Sequence, residues 1–303
     1  MESAETKSEL ESLVNNSLNN LLKAEPQPIA IIQTGSSITE DYVEGLSDID
    51  FMVISRNPEA LEGDAELSNF LCARYPKKFL RRLKRGHSFE LASLKFGRVL
   101  HDRGFVDRID NKSQYKPTEI TIKDYMMSAI NQYSHALENY FTGSVERVIN
   151  CSYKSVKSCC KILATRKTNE IYETFNDVVN VISEIDETMA EKLSFLYFIR
   201  KNWKKNLEKL PAKDKIYEND AGRFILAAEG VLRYFFRKEG YSLPRFNDLI
   251  PENAKEIETD VDNDFLFHFV RHNFNENKIS YCFGYVDENG NSDNVFKDFC
   301  KTA

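Results

Sequence analysis

No apolar run in the 303 residues approaches the roughly 20 residues that a bilayer span needs; the densest, Phe265 to Val270, is six residues long and contains His268. A membrane-spanning role is therefore not expected. The polar opening Met1-Glu2-Ser3-Ala4-Glu5 lacks the apolar core of a signal segment, so the expected setting is cytoplasmic. Metal-site cysteine patterns are missing too. Cys72, Cys151, Cys159, Cys160, Cys282 and Cys300 form no Cys-x-x-Cys pair and have no matching histidine spacing. Buried free thiols are the expected state. Positive charge is in deficit, with 41 Lys and Arg against 47 Asp and Glu and a net charge of −6. That argues against a protein that coats nucleic acid over its whole surface and leaves room for a local basic face. What the chain has is length and an apolar content of 42%, enough to bury the cores of two or three small domains.

The densest chemical information lies near the start. Pro28-Ile29-Ala30-Ile31-Ile32-Gln33 is a short apolar run of β type, followed by Thr34-Gly35-Ser36-Ser37. From Asp48 to Ile54 the chain alternates so that Asp48, Asp50 and Met52 share one face of a strand. At about 3.3 Å rise per residue the two aspartate Cα atoms lie roughly 6 to 7 Å apart, from where both carboxylates reach shared Mg²⁺ ions. Two-metal phosphoryl chemistry needs such a pair, because attacking and leaving oxygens are braced together. Gly35 ends the first strand and lets backbone amides approach a phosphate chain, while the Ser36 hydroxyl adds a donor.

These residues resemble the nucleotidyltransferase superfamily of DNA polymerase β, the minimal nucleotidyltransferases and the antibiotic adenylyltransferases, whose signature is Gly-Ser after a first strand and Asp-x-Asp on a second. The resemblance implies Mg²⁺ as cofactor, held by Asp48 and Asp50, with Gly35, Ser36 and Ser37 seating the phosphates of an NTP, expected to be ATP. It implies transfer of NMP, expected to be AMP, to a hydroxyl acceptor. A protein tyrosine, an RNA end and a small-molecule hydroxyl are the acceptors such proteins use. A catalytically degenerate nucleotide-binding protein is the alternative. The departures bear on that choice. Where many members carry Arg-Gly after Gly-Ser, this loop holds Glu40, Asp41 and Glu44, which repel a triphosphate if they face it. A third carboxylate is expected on a third strand, as metal ligand or base. No clear third strand follows, residues 64 to 85 reading as a helix, and the best acid is Glu90. An acid in the first turn of a helix also simply complements the helix dipole. Gly97-Arg98-Val99-Leu100-His101-Asp102 is similar to the segment that closes the minimal catalytic domain.

One basic face is visible. Lys77 to Arg85 holds six cations in nine residues, while Phe79, Leu80 and Leu83 make a narrow apolar stripe at helical spacing. Lys77 and Arg81 are the candidates for contact with NTP phosphates or with RNA, and a solvated helix surface is the other reading.

The rest of the chain reads as helical. Sliding residues 166 to 203 by 71 positions onto 237 to 274 gives ten identities in 38, where unrelated sequence gives about two or three. Phe175-Asn176-Asp177 matches Phe246-Asn247-Asp248, and Phe198-Ile199-Arg200-Lys201-Asn202-Trp203 aligns with Phe269-Val270-Arg271-His272-Asn273-Phe274. Each unit resembles part of a HEPN domain, the helical partner of many minimal nucleotidyltransferases. Neither Arg200 nor Arg271 is followed at the right distance by the histidine that HEPN ribonucleases use, so RNase activity is not expected. Ile279 to Val286 reads as a strand entering an Asn289-Gly290 turn. The expected fold is α+β, with a nucleotidyltransferase α/β domain and small mixed sheet at 1–115, then a mostly α-helical bundle forming HEPN-like units at 119–210 and 215–303.

Overall fold

The computed structural model of the chain describes residues 4–62, 71–109, 111–205, 215–216, 220–258, 269–273 and 275–302. Met1–Ser3 of the polar opening, residues 64–70 of the expected helix, 265–268 of the apolar run, and Thr259 and Phe274 of the repeat lie outside them. The fold is α+β, as its sequence suggests. Two compact units share the chain: Met1–Asp124 with Ala164–Val178, and Tyr125–Leu163 with Val179–Ala303. Residues 164–178 thus return to the first unit between two stretches of the second.

In the first unit a sheet of four strands has the order β3-β2-β1-β4, with β1 Ala30–Thr34, β2 Asp50–Ile54, β3 Leu71–Arg74 and β4 Arg98–Asp102. It is mixed: β1 pairs antiparallel with β2 and β4, and β2 pairs parallel with β3. Strand alternation sends Ala30, Ile32, Met52 and Ile54 to one face, where they pack with Phe79 and Leu83 of α3 (Pro76–Lys84) and Leu91 and Leu94 of α4 (Ser88–Phe96). Ile31, Phe51 and Val53 go to the other face and meet Val14 and Leu21 of α1 (Ala4–Lys23). A short helix, α2 (Pro58–Glu62), follows β2. Burial on both faces is why β1 and β2 read as nearly continuous apolar runs.

The expected helix over 64–85 is corrected in part. Leu71–Arg74 is a strand, and the helix starts only at Pro76, which occupies the first turn where a missing N–H costs nothing. Leu71-Cys72-Ala73-Arg74 shows no alternation, since a strand beside β2 needs none.

The second unit combines helices with a second sheet. Its helical segments are α5 (Glu119–Phe141) from Tyr125 on, α6 (Val145–Thr168) up to Leu163, α7 (Phe175–Ser183) from Val179 on, α8 (Glu187–Lys201) and α9 (Asp220–Lys238). The sheet is built on β7 (Lys278–Asp287), which carries β6 (Val270–Asn273) and β5 (Ala254–Glu258) along one edge and β8 (Ser292–Cys300) along the other, all antiparallel. The Asn289-Gly290 turn joins β7 to β8 as the sequence suggests. The 71-residue repeat is not repeated in structure: Phe198 to Lys201 lies in α8, whereas the matching Val270 to Asn273 spans strand β6. Arg200 and Arg271, paired by the alignment, thus sit on elements of different kind. Arg200 is 1% exposed, its Nε donates to Asn150 Oδ1 at 2.8 Å, and its guanidinium lies over the Tyr153 ring. Its place is structural.

All six cysteines are free, Cys159 and Cys160 being fully buried. Burial, helped by the charge of Asp186, pushes the Cys160 thiol up to about 12, so it is an inert apolar filler.

Candidate nucleotide site

The register of β1 and β2 sets Thr34 opposite Asp50, so the turn after β1 and the first residue of β2 are neighbours. The chain leaves β1 through a single 3-10 turn, Gly35–Ile38, and Gly35 has φ +75°, a conformation that favours glycine. A Cβ added to Gly35 would lie 2.6 Å from Asp50 Oδ2. The absent side chain is therefore what lets the turn close against that carboxylate. Asp50 is half-buried and Asp48, just before the strand, is exposed. The sequence-distant halves of the motif are one place in the fold.

A polar lock holds the turn. Ser37 is buried, its hydroxyl donating to the Thr34 carbonyl at 3.1 Å and accepting from Gln33 Nε2 at 3.0 Å. Gln33 Oε1 in turn accepts from Arg98 Nε and Nη2 at 3.0 and 2.7 Å. Gln33 and Arg98 are register partners on β1 and β4. Gln33 alternates with Thr34 and so faces away from the Asp50 side, and Ser37, bonded to it, braces the loop. Ser36 is half-buried, and among the described residues its hydroxyl has no hydrogen-bond partner. The Gln33–Arg98 clamp was invisible in the sequence because its partners lie 65 residues apart.

The acidic loop is partly disarmed. Asp41 is buried and its Oδ2 accepts the Phe175 backbone N–H at 2.8 Å, while Glu40 bonds the Asn176 side-chain amide. Both partners belong to the segment that returns to the first unit. Glu44 stays exposed at the turn before β2.

The structure does not bring Glu90, Lys77 or Arg81 to Asp50. Glu90 is fully buried, and its Oε1 accepts from Arg82 Nε at 2.5 Å and Arg74 Nε at 3.4 Å. Arg74 pairs with Ile54, at the other end of β2 from Asp50, about 13 Å away at strand rise. Glu90 thus fastens α4 to α3 and β3. Lys77 and Arg81 line a cavity of about 640 Å³ with Arg56 and Tyr75, again beyond the Ile54 and Arg74 end. Among the described residues, neither β3 nor β4 offers a third carboxylate to Asp50. The acid of β4, Asp102, pairs with Ala30 at the far end and accepts the backbone N–H groups of Phe105, Val106 and Asp107.

Among the described residues no three His, Cys, Asp or Glu side chains are grouped to hold a metal ion. The donor set that remains, the carboxylates of Asp48 and Asp50 beside the Gly35 turn, is of the kind that suits Mg²⁺. This ion commonly takes one or two protein carboxylates and completes its shell with water and substrate phosphate.

No helix among the described residues is long and apolar enough to cross a membrane. No protein-family model matches the chain. No curated protein matches it. Among solved structures, a nucleotidyltransferase-like protein from Exiguobacterium sibiricum matches 75% of this chain and 75% of its own at 12% identity, with a TM-score of 0.33. A likeness of that degree bears on neither fold nor function.

Proposed function

We propose that the first unit binds a nucleoside triphosphate, expected to be ATP, at Gly35 and Ser36 against Asp50 and Asp48, and transfers its nucleotidyl group to a hydroxyl acceptor. The observation that carries this reading is the close approach of Gly35 to Asp50: a turn at φ +75° packed so near that a Cβ would stand 2.6 Å from a carboxylate oxygen. That approach sets the backbone N–H groups of the turn beside a carboxylate, the combination that a phosphate chain held by amides and a carboxylate-bound metal requires. The Ser36 hydroxyl adds a donor to a phosphate oxygen. Mg²⁺ held by Asp48 and Asp50 would supply charge neutralisation at the phosphates. The acceptor oxygen forms a bond to the α-phosphorus and gives up its proton to water, the bond to the β-phosphate bridging oxygen breaks, and pyrophosphate leaves with that electron pair. Engagement of Asp41 with Phe175 and of Glu40 with Asn176 supports the reading, since it turns two negative charges to internal partners.

One observation favours a second reading, a nucleotide-binding protein without transferase activity. The acceptor proton needs a base, and Glu90 is held by Arg74 and Arg82 at the other end of β2. Equilibrium dialysis of ATP with Mg²⁺ tests the site common to both. Wild type is expected to bind, and Asp50→Asn to lose at least tenfold in affinity with an unchanged thermal transition. Equal binding by the two proteins removes the assignment. Binding without any turnover selects the second reading.

A further inference from the structure

The far end of the first sheet carries a cleft that the nucleotide site does not use. Its volume is about 980 Å³, and Arg56, Lys84, Arg103 and Arg108 line it together with Phe105 and Tyr115. Arg56 also belongs to the adjoining cavity that holds Tyr75, Lys77, Lys78 and Arg81. Seven exposed cations thus stand together in a chain whose acids outnumber its bases by 47 to 41. Among the described residues none of these seven is in an ion pair. Among the described residues, the acids at the cleft are Glu25, exposed on its wall, and Glu59, whose carboxylate accepts the Tyr75 hydroxyl at 2.7 Å and lies near Lys78.

The cleft is built rather than incidental. The loop presenting Arg103, Phe105 and Arg108 is fixed by Asp102, which accepts three successive N–H groups from Phe105, Val106 and Asp107 at 2.7 to 3.1 Å. Phe105 is backed edge-on by the core ring of Phe79, centroids 6.0 Å apart. On the other side the cations project from α3, whose Phe79 and Leu83 are anchored in the core. Like charges gathered on rigid supports, with few acids among them, repel one another, and a polyanion relieves that repulsion.

We propose that this cleft binds single-stranded nucleic acid, its cations tracking the phosphates and Tyr75, Phe105 and Tyr115 stacking on bases. Rings inside a concave wall reach bases only when those are unpaired. A bilayer is engaged instead by rings at convex tips. The inference is independent of the nucleotidyl-transfer reading, since Ile29, Arg56 and Arg103 follow or precede strand ends about 13 Å from Asp50.

Fluorescence anisotropy with labelled 12-mers of oligouridine and oligodeoxythymidine tests it on the full chain, titrated at several salt concentrations. Wild type is expected to bind, with affinity falling steeply as salt rises. The variant Lys84→Ala/Arg103→Ala/Arg108→Ala is expected to lose about 2 from the log–log salt slope, since each phosphate contact contributes roughly 0.7 for single strands. Tyr115→Ala is expected to weaken binding about 5- to 150-fold. Tighter binding of oligouridine than of oligodeoxythymidine would identify RNA as the natural strand, and the reverse DNA; either supports the site. An exposed control, Arg237→Ala/Lys255→Ala/Lys297→Ala, keeps affinity and slope. Loss of binding equal in the control and the cleft variant would overturn the proposal. So would duplex RNA bound as tightly as single strands, or binding only to vesicles containing phosphatidylserine.

Discussion

Replacing Gly35 by alanine places a methyl carbon where Asp50 Oδ2 already stands 2.6 Å away, on a backbone at φ +75°. The change is expected to cost about 1 to 3 kcal/mol in urea unfolding and to abolish ATP binding, and full binding by Gly35→Ala would separate the turn from the site. Glu90 tests the opposite assignment. Leaving Arg74 and Arg82 facing a neutral amide in Glu90→Gln is expected to cost about 2 to 4 kcal/mol of stability, below the full figure for a buried pair because both arginines are partly exposed. ATP binding by the remaining folded protein should stay as in wild type, and its loss would return Glu90 to the site. Asp102 gives a pH signature. Burial works to raise its carboxyl, but the N–H groups of Asp107, Val106 and Phe105 outweigh it and, with His101, hold it below the usual carboxylate range. A depressed folded value means the contribution is present above the unfolded-chain value near 3.9 and is lost as pH falls through the lower folded value. Asp102→Asn is therefore expected to lose about 1 to 2 kcal/mol at pH 7, and its deficit against wild type should shrink as pH falls below about 4. That Gly35 and Ser36 form a turn beside Asp50 was legible in the sequence because each half of the motif is local. The ion pairs of Glu90 were not, because its arginine partners lie 8 and 16 residues away, and nothing local distinguishes an acid that caps a dipole from one that binds two guanidinium groups.

At the scale of elements, alternation and turn chemistry decided what was readable. β2 was visible from the Asp48 to Ile54 alternation, and β7 from the apolar run that ends in Asn289-Gly290. Gly290 has φ +82° with open space where a Cβ would go, so Gly290→Ala carries a backbone cost alone, about 1 kcal/mol. Chemical denaturation measures it, and a cost near zero would mean that the turn relaxes to another type. β3, β5 and β6 were not legible. Each is four or five residues long, and β3 owes its conformation to parallel pairing with β2. The repeat failed for a related reason: ten identities aligned residues whose conformation is decided by β7 in one copy and by α8 in the other. Identity in short polar clusters such as Phe-Asn-Asp reports local helical starts, at Phe175 and Phe246, and little beyond them.

For the molecule as a whole, the sequence conveyed an α/β unit at the start and helices after it, but not that residues 164–178 come back to the first unit. That return matters to the site, because Phe175 and Asn176 are what engage Asp41 and Glu40. No composition shift marks it, since the helix α6 that leads there is continuous. Charge shows the same division between local and global: the net −6 says nothing of the seven cations gathered at one end of a sheet. The most direct test of the central claim is to incubate the full chain with Mg²⁺, cell extract and ATP labelled with ³²P at either the α or the γ position, beside Asp48→Asn/Asp50→Asn. Nucleotidyl transfer predicts an acceptor labelled from the α position only, absent with the double variant. Label from the γ position, or α label that persists in the double variant, would contradict it.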